Sequence, residues 1–164
     1  MDAHVTDTVF NDAPGSSEAS SNQASSSQAS TGRDISGLLK TAGLRPTRQR
    51  LLLGGLLFGH GDRHVTAELL HAEAVSSGER VSLATVYNTL HQFCNAGLLR
   101  ELAIEGSKAY FDTNTSNHSH FYLEAESRLM DIAGNTVQVA GLPEPPAGLT
   151  ISHIDVVVRL KRKV

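Results

Sequence analysis

The chain has 164 residues, of which 40% are hydrophobic and 5% aromatic, and its formal net charge at pH 7 is −3. This length suits one domain or two small ones with a mostly aliphatic core, and the single cysteine, Cys94, excludes an intrachain disulfide and a four-cysteine structural zinc site. Because the sequence shows neither a signal peptide nor an apolar run near the ~20 residues of a membrane helix, we expect a cytoplasmic protein.

The charges are unevenly distributed along the chain. Residues 1–32 carry four acidic side chains and no basic ones, whereas residues 33–100 carry eight basic and five acidic ones. The negative net charge therefore does not exclude a nucleic-acid partner. Residues 1–32 are also rich in Ser, Ala, Gln and Asn, and such a composition buries too little apolar surface to fold, so we predict a disordered Ser-rich tail there.

Cap residues and apolar spacing predict three helices before residue 80. The first covers residues 34–42 behind the cap Asp34, the second covers residues 48–58 behind Thr47, and Thr66 begins the third. Two adjacent glycines at positions 54 and 55 weaken the second helix by about 1 kcal/mol each relative to Ala, so we expect close packing against them. The third helix is expected to bury Ala67, Leu70, Ala74 and Val75.

A fourth helix, between Ser82 and Leu99, is predicted to read DNA. Ser82 suits the N-cap, and Gly97 suits a left-handed C-terminal cap. One face carries short hydroxyls and amides without any charge, which lets a helix enter a major groove, although an ordinary packing helix is compatible with the same face. The apolar stripe is Leu83, Val86, Leu90, Phe93 and Cys94, the polar face is Thr85, Asn88, Thr89 and Gln92, and Tyr87 lies at the boundary.

Two strand patterns follow this helix, at residues 98–104 and 108–112, around a turn that contains Gly106. They predict a β-hairpin. A hairpin directly behind a recognition helix is a wing, and Lys108 near its tip is placed to reach a phosphate. We therefore predict a winged helix-turn-helix DNA-binding domain over residues 33–113.

The pattern of residues 114–164 predicts a small α/β domain for dimerisation and sensing. The fold class expected for the whole chain is therefore α+β. A polar linker precedes a hairpin at residues 121–125 and 129–132, and residues 137–142 are expected to be helical. Residues 151–160 read as a strand with Ile154, Val156, Val158 and Leu160 on one face. Three strands in so short a segment make too small a core, so we expect a homodimer.

Six stretches resemble, in this order, the ferric uptake regulator (Fur) family of metal-responsive repressors: GLRPTRQR, HVTAELL, VSLATVYNTLHQF, AGLL, GSKAYFD and HSHFYLE. Within the family, the absent cysteine motif, the GLPEPP stretch and the terminal VVVRLKRK are most similar to the iron response regulator (Irr) branch. The resemblance covers residues 36–164 and implies a dimer that binds an AT-rich inverted-repeat operator.

The resemblance also implies roles for particular residues at the DNA. Tyr87 and its neighbours are expected to contact bases, and Arg45 to reach an adjacent minor groove, which in A·T tracts is narrow and attracts arginine. Arg48 and Arg50 begin a helix and are expected to hold phosphates. The full predicted DNA-binding set is Arg45, Arg48, Gln49, Arg50, Ser82, Thr85, Tyr87, Asn88 and Lys108.

A metal effector is one of two that the resemblance implies. The family's interdomain site corresponds to His64, Asp112, His120 and Asp131 here, and a hairpin that turns near residue 125 puts His120 opposite Asp131. Imidazoles and carboxylates together suit Fe²⁺, Mn²⁺ or Zn²⁺. The cysteines that hold a structural zinc in most relatives are replaced by Leu123 and Glu126, so we expect no such zinc.

Haem is the second effector that the resemblance implies. A His-rich run in the Irr branch is associated with haem, and here it corresponds to His118 and His120, since a neutral imidazole is a good axial ligand for haem iron. We predict that haem lowers DNA affinity, with the alternative that Fe²⁺ or Mn²⁺ at the interdomain site raises it.

Two other classes of function, an enzyme and a protein-binding module, are considered for the same sequence. A hydrolytic metal site at His118, His120 and Asp131 would make the chain an enzyme, but the sequence contains no recognisable nucleophile or general-base motif and no Gly-rich phosphate loop. We therefore predict no enzymatic activity. A winged helix that binds only proteins is the other class, and it would show no affinity for any AT-rich inverted repeat.

Overall fold

The computed structural model describes residues 33–105, 108–134 and 136–163. The predicted tail at residues 1–32 and the tip of the wing at Gly106 and Ser107 lie outside the described residues. The described helices are α1 (Ile35–Thr41), α2 (Arg48–Phe58), α3 (Ala67–Ser76) and α4 (Leu83–Asn95), and the strands are β1 (His64–Val65), β2 (Arg100–Glu105), β3 (Lys108–Asp112), β4 (His120–Leu123), β5 (Arg128–Asp131) and β6 (Val157–Leu160). The predicted α+β class is confirmed.

Each of the four helices begins behind its predicted cap residue. The side-chain oxygen of the cap accepts a hydrogen bond from the backbone N–H three residues further on, which satisfies one of the unpaired donors of the first turn. The pairs are Asp34 with Gly37, Thr47 with Arg50, Thr66 with Leu69 and Ser82 with Thr85. Gly97, just beyond α4, has a φ of 71°, as expected for a left-handed C-terminal cap.

The inward faces of α1–α4 form the first hydrophobic core. Leu57, Leu70 and Phe93 are fully buried in it. Gly54 of α2 lies where α1 crosses, since an added Cβ would meet Ile35 Cγ2 at 2.7 Å. The expected close packing is confirmed at position 54, whereas nothing lies within 4 Å of a Cβ added at position 55.

The predicted helix faces were wrong at three positions. Leu83, predicted on the apolar stripe of α4, is 36% exposed because it is the first residue of the helix. Val75 of α3 is 51% exposed, because Ala74 already occupies the centre of the buried arc. Thr89 of α4, predicted on the polar face, is buried because it lies beside Val86 and Phe93, three and four residues away on the helix. Its hydroxyl donates to the carbonyl oxygen of Thr85 at 2.9 Å, which satisfies the buried polar group.

The first sheet has the strand order β1-β3-β2 and is antiparallel throughout. Its β2–β3 pair is the predicted hairpin. The two-residue strand β1 was not predicted, since so short a segment shows no alternation. It pairs with β3 in a register that sets His64 opposite Asp112.

The second sheet has the order β5-β4-β6. Strands β4 and β5 form the predicted antiparallel hairpin, and β6 lies parallel to β4. The strand predicted over residues 151–160 is shorter, covering only Val157–Leu160. The prediction of a helix at residues 137–142 was wrong. Those residues have no regular secondary structure and lead into the Pro-rich segment.

The second sheet buries one face and leaves the other open. On the inner face, Tyr122, Leu129 and Val157 pack on residues of β2 and β3, namely Leu102, Ile104 and Tyr110. Within β6, Val158 and Leu160 lie on the opposite face, where they are 36% and 39% exposed. The outer face of this sheet is largely apolar and comprises Phe121, Leu123, Arg128, Met130, Val158 and Leu160. No helix in the described part of the chain is long and apolar enough to cross a membrane.

Candidate functional site

Three imidazoles and two carboxylates converge where the two sheets meet. Each offers one ligand atom, and these five atoms lie within 4.8 Å of one another. We call this group the five-residue cluster: His64 of β1, Asp112 of β3, His118 ahead of β4, His120 of β4 and Asp131 of β5.

The strand registers bring the members of the cluster together. His64 lies opposite Asp112 in the first sheet, and His120 lies opposite Asp131 in the second, as predicted for the latter pair. Directly opposed residues of an antiparallel pair have their Cβ atoms about 4.5–5.5 Å apart on one face. Each sheet therefore supplies one imidazole–carboxylate pair, and the contact between the sheets joins the two pairs.

The two carboxylates lie between the three imidazoles. Asp112 Oδ2 is 3.4 Å from His64 Nε2, 3.1 Å from His118 Nε2 and 3.3 Å from His120 Nε2. Asp131 Oδ1 is 3.0 Å, 3.3 Å and 3.7 Å from the same three nitrogens. Asp112 and His120 are fully buried, whereas Asp131 is 39% exposed and gives the cluster an open side.

The cluster favours an ionised Asp112. Burial by itself raises the pKa of Asp112, but the hydrogen bond from His120, the adjacent imidazole of His64 and the Asn114 backbone N–H together lower that pKa well below its usual range. Burial likewise lowers the pKa of His64, but its side-chain contact with Asp112 and the charges of Asp112 and Asp131 outweigh burial, so the net pKa is raised. The carboxylates thus make the site attractive to a cation.

The donor atoms fit a divalent metal ion. Among the described residues, the buried His64 Nε2 and His118 Nε2 have no hydrogen-bond partner, although both lie close to carboxylate oxygens. Buried polar atoms are nearly always paired, so two such nitrogens aimed at one point indicate a missing partner. A mixed imidazole and carboxylate set suits Fe²⁺, Mn²⁺ or Zn²⁺.

His118 was predicted as a haem ligand and was not included in the predicted metal set. In the structure its side chain is only 10% exposed, and its Nε2 faces the same carboxylates as His120 Nε2. The sequence carried a signal for this arrangement, because residues two apart in extended chain lie on the same side.

Most of the predicted DNA-binding residues lie along α2, α4 and the connector before α2. A polar groove of about 240 Å³ separates the two helices. It is lined by Thr47, Gln49, Arg50, Thr85, Asn88, Thr89 and Gln92. Arg45 and Lys108, at the connector and at the wing, are exposed.

Several of these residues are engaged within the chain. Arg48 Nη2 donates to Glu79 Oε2 at 2.9 Å, and the Ser82 hydroxyl caps α4. Tyr87 Oη donates to Glu68 Oε1 at 2.6 Å, which raises the pKa of the tyrosine and lowers that of the glutamate. Glu68 had no predicted role, since α3 and α4 contact each other only in the folded chain.

Arg50 also has two hydrogen-bond partners that were not predicted. Its Nε donates to Gln92 Oε1 at 3.0 Å, and its Nη1 donates to the carbonyl oxygen of Arg45 at 2.7 Å. The residue expected to hold a phosphate thus connects the segment before α2 to the polar face of α4.

Comparisons with known proteins point to one family. The family model described as "Ferric uptake regulator family" matches residues 41–155. The ferric uptake regulation protein of Shigella flexneri is 40% identical over 90 residues, which are 55% of this chain and 60% of that protein. Its counterpart from Klebsiella pneumoniae is 32% identical over 107 residues, which are 65% of this chain and 69% of that protein. The first of these matches thus spans less than two thirds of the relative's length.

Solved structures agree in fold. The crystal structure of the Vibrio cholerae ferric uptake regulator is 25% identical with a TM-score of 0.63, over 79% of this chain and 100% of that one. The ferric uptake regulator of Pseudomonas aeruginosa, solved with manganese, is 24% identical with a TM-score of 0.61, over 80% of this chain and 99% of that one.

Proposed function

The chain belongs to the ferric uptake regulator family, and we propose that it is a DNA-binding transcription regulator whose affinity for its operator is raised by a divalent metal ion. The observation that carries the proposal is the five-residue cluster, with its buried imidazole nitrogens that lack hydrogen-bond partners in the described part of the chain. The alternative effector considered from the sequence, Fe²⁺ or Mn²⁺ at the interdomain site, thereby becomes the preferred one.

We propose that all five residues of the cluster hold the metal. The bound ion supplies positive charge that links ligands from both sheets. His64 and Asp112 belong to the sheet behind the reading helix, whereas His118, His120 and Asp131 belong to the second sheet and the segment before it. Loading the site therefore restricts how one sheet moves against the other, which is a way to favour one DNA-binding geometry.

We propose that residues 33–113 bind DNA as a winged helix. The exposed face of α4 carries no charged side chain from Leu83 to Asn95 apart from the ionisable His91, and the wing presents Lys108. Short polar groups are suited to base edges, and lysines to phosphates. This arrangement supports Tyr87 and Asn88 as base contacts and an AT-rich inverted repeat as the operator.

We propose that residues 114–164 form the dimer. The outer face of the second sheet exposes Met130, Val158 and Leu160, which are 41%, 36% and 39% exposed. A largely apolar sheet face of this kind, with Arg128 as its one charged member, is unfavourable in water and is covered well by a second copy of itself. A two-fold dimer presents two reading helices to two half-sites.

The predicted haem effector and the Irr branch have less support. His118 Nε2 and His120 Nε2 both face Asp112, at 3.1 Å and 3.3 Å. Axial ligation of haem by either imidazole requires its nitrogen to leave this cluster and reach an open surface. The buried position of both side chains therefore favours a small cation over a macrocycle.

The test is a DNA-binding titration with fluorescent AT-rich inverted-repeat duplexes at fixed salt. We expect Mn²⁺ to raise the affinity of the native protein and a chelator to reverse the effect. His64→Ala and Asp112→Asn should abolish the response, whereas His60→Ala, an exposed histidine outside the cluster, should keep it. If Mn²⁺, Fe²⁺ and Zn²⁺ all leave the affinity unchanged while haem lowers it, the metal proposal is wrong and the haem alternative is correct.

A further inference from the structure

Arg50 joins three parts of the chain through two hydrogen bonds. Its Nη1 donates to the carbonyl oxygen of Arg45, and its Nε donates to Gln92 Oε1, 42 residues away in sequence. The first bond restrains the connector before α2, and the second restrains a side chain on the polar face of α4. Arg50 is half-buried, as expected of a residue held on two sides.

The contact with Arg50 fixes the orientation of the Gln92 amide. A guanidinium group has only donors, so the atom of Gln92 that faces Arg50 Nε is the carbonyl oxygen. The amide nitrogen then points away from Arg50, and it has no hydrogen-bond partner among the described residues. Gln92 is exposed, so this nitrogen is available to a ligand.

The fixed orientation changes what Gln92 can recognise. A free glutamine reads adenine through both ends of its amide, because its oxygen accepts from N6 and its nitrogen donates to N7. Here Gln92 Oε1 already accepts a hydrogen bond from the guanidinium group of Arg50. An adenine amino group that approached this oxygen would face the N–H donors of Arg50. The pair therefore favours a DNA group that only accepts hydrogen bonds.

The surroundings match such a ligand. The polar groove between α2 and α4 is lined by hydroxyls, amides and one guanidinium, and no carboxylate lines it. Gln92 also lies on the same stripe of α4 as Thr85 and Asn88, at spacings of seven and four residues. The acceptor-only chemistry is shared by the O6 and N7 edge of guanine and by a phosphate oxygen.

We propose that Arg50 and Gln92 together form a donor-only reader that selects guanine over adenine at one position of each half-site. In this arrangement Gln92 contacts the base, and Arg50 is a positioning residue that acts through Gln92. The inference rests on the proposed function, because it requires α4 to enter a major groove.

The test is a selection from duplexes with a randomised central segment, using the full chain with Mn²⁺ and reading the enriched sequences. We expect the native protein to prefer guanine over adenine at one position per half-site by roughly 5- to 150-fold, the discrimination of a good base contact. Arg50→Leu releases the Gln92 oxygen, so the preference at that position should fall to near one or reverse toward adenine. All other positions should keep their preferences.

Two further variants complete the design. Arg48→Leu is the matched control, because Arg48 lies on the same helix and pairs with Glu79 rather than with Gln92. Arg48→Leu should weaken binding to all DNA sequences alike and leave the preference for guanine intact. Gln92→Glu keeps an acceptor for Arg50 but removes the amide donors, so it should lose the guanine preference even if Arg50→Leu does not fold.

Each outcome decides the matter. Arg50→Leu could behave like Arg48→Leu, with a uniform loss of affinity for all sequences and a shallower dependence of affinity on salt. In that case Arg50 holds a phosphate and the inference is wrong. If Gln92→Glu keeps the guanine preference, the inference is wrong as well. If the native protein enriches no sequence, the proposed function fails and the inference fails with it, whereas enrichment without these shifts overturns the inference alone.

Discussion

The first hydrophobic core and the second sheet bury their apolar residues to different extents. The core between α1 and α4 is closed on all sides, with Leu57, Leu90 and Phe93 fully buried. The second sheet packs one face on β2 and β3 and leaves Val158 and Leu160 of its other face exposed. The first region therefore buries its apolar residues within the chain, whereas the outer face of the second sheet stays exposed unless something covers it.

The five-residue cluster lies between these regions and depends on both. His64 and Asp112 are positioned by the sheet that closes the first core, and His120 and Asp131 by the open sheet. A cation bound there would connect the closed core to the open sheet. Perturbing either region should therefore have distinct effects on stability, on metal binding and on assembly.

The largest effect is expected from Phe93→Ala. Removing this fully buried ring leaves a cavity in the closed core and should cost about 3–5 kcal/mol of unfolding free energy. Urea denaturation followed by circular dichroism measures the loss. Phe121→Ala, on the outer face of the second sheet, is the matched control and should cost much less in a monomeric chain. Equal losses would contradict the contrast between closed and open regions.

Metal binding is expected to give the next largest effect. A ligand that binds only the folded state stabilises it by about 2.7 kcal/mol at a hundredfold excess over its dissociation constant. Mn²⁺ should therefore raise the melting temperature, and a chelator should lower it again. Asp112→Asn should remove the shift, while Asp62→Asn, an exposed carboxylate outside the cluster, should retain it. A shift that survives Asp112→Asn would place the metal elsewhere.

A smaller effect is expected at the cap of α3. Thr66 accepts the backbone N–H of Leu69 at 3.2 Å and lies two residues after His64. Thr66→Ala should cost about 1 kcal/mol of unfolding free energy, since it leaves a helix donor without its partner. Thr66→Ser keeps the hydroxyl and should recover most of the loss in the same urea titration. An alanine variant as stable as the native chain would show that the cap contributes nothing.

The smallest effect on the stability of the single chain is expected from Val158→Asp. Exposed substitutions usually change the unfolding free energy by no more than about 0.5 kcal/mol. The buried charge would nevertheless prevent a dimer from covering this face, so sedimentation should show a monomer and the unfolding midpoint should lose its dependence on protein concentration. Leu149→Asp, outside the sheet, should leave the assembly unchanged. A Val158→Asp variant that remains a dimer would exclude this face as the interface.

Elements that depend on neighbouring residues could be predicted from the amino-acid sequence alone. The caps Asp34, Thr47, Thr66 and Ser82 were readable because each bonds a donor three residues away. The β4–β5 hairpin was readable for the same reason, and it placed His120 opposite Asp131. Resemblance to a known family extended this local prediction to most of the proposed metal ligands, namely His64, Asp112, His120 and Asp131.

Contacts between distant segments depend on the folded chain and could not be predicted from local patterns. The strand β1 exists because β3 pairs with it, and His118 joins the cluster because the second sheet packs against the first. Which face of β6 is buried depends on the position of β2 and β3, so the alternation in the sequence identified two faces without saying which one points inward. The contact of Arg50 with Gln92 spans 42 residues, and no local periodicity carries information about a hydrogen bond between two helices that far apart.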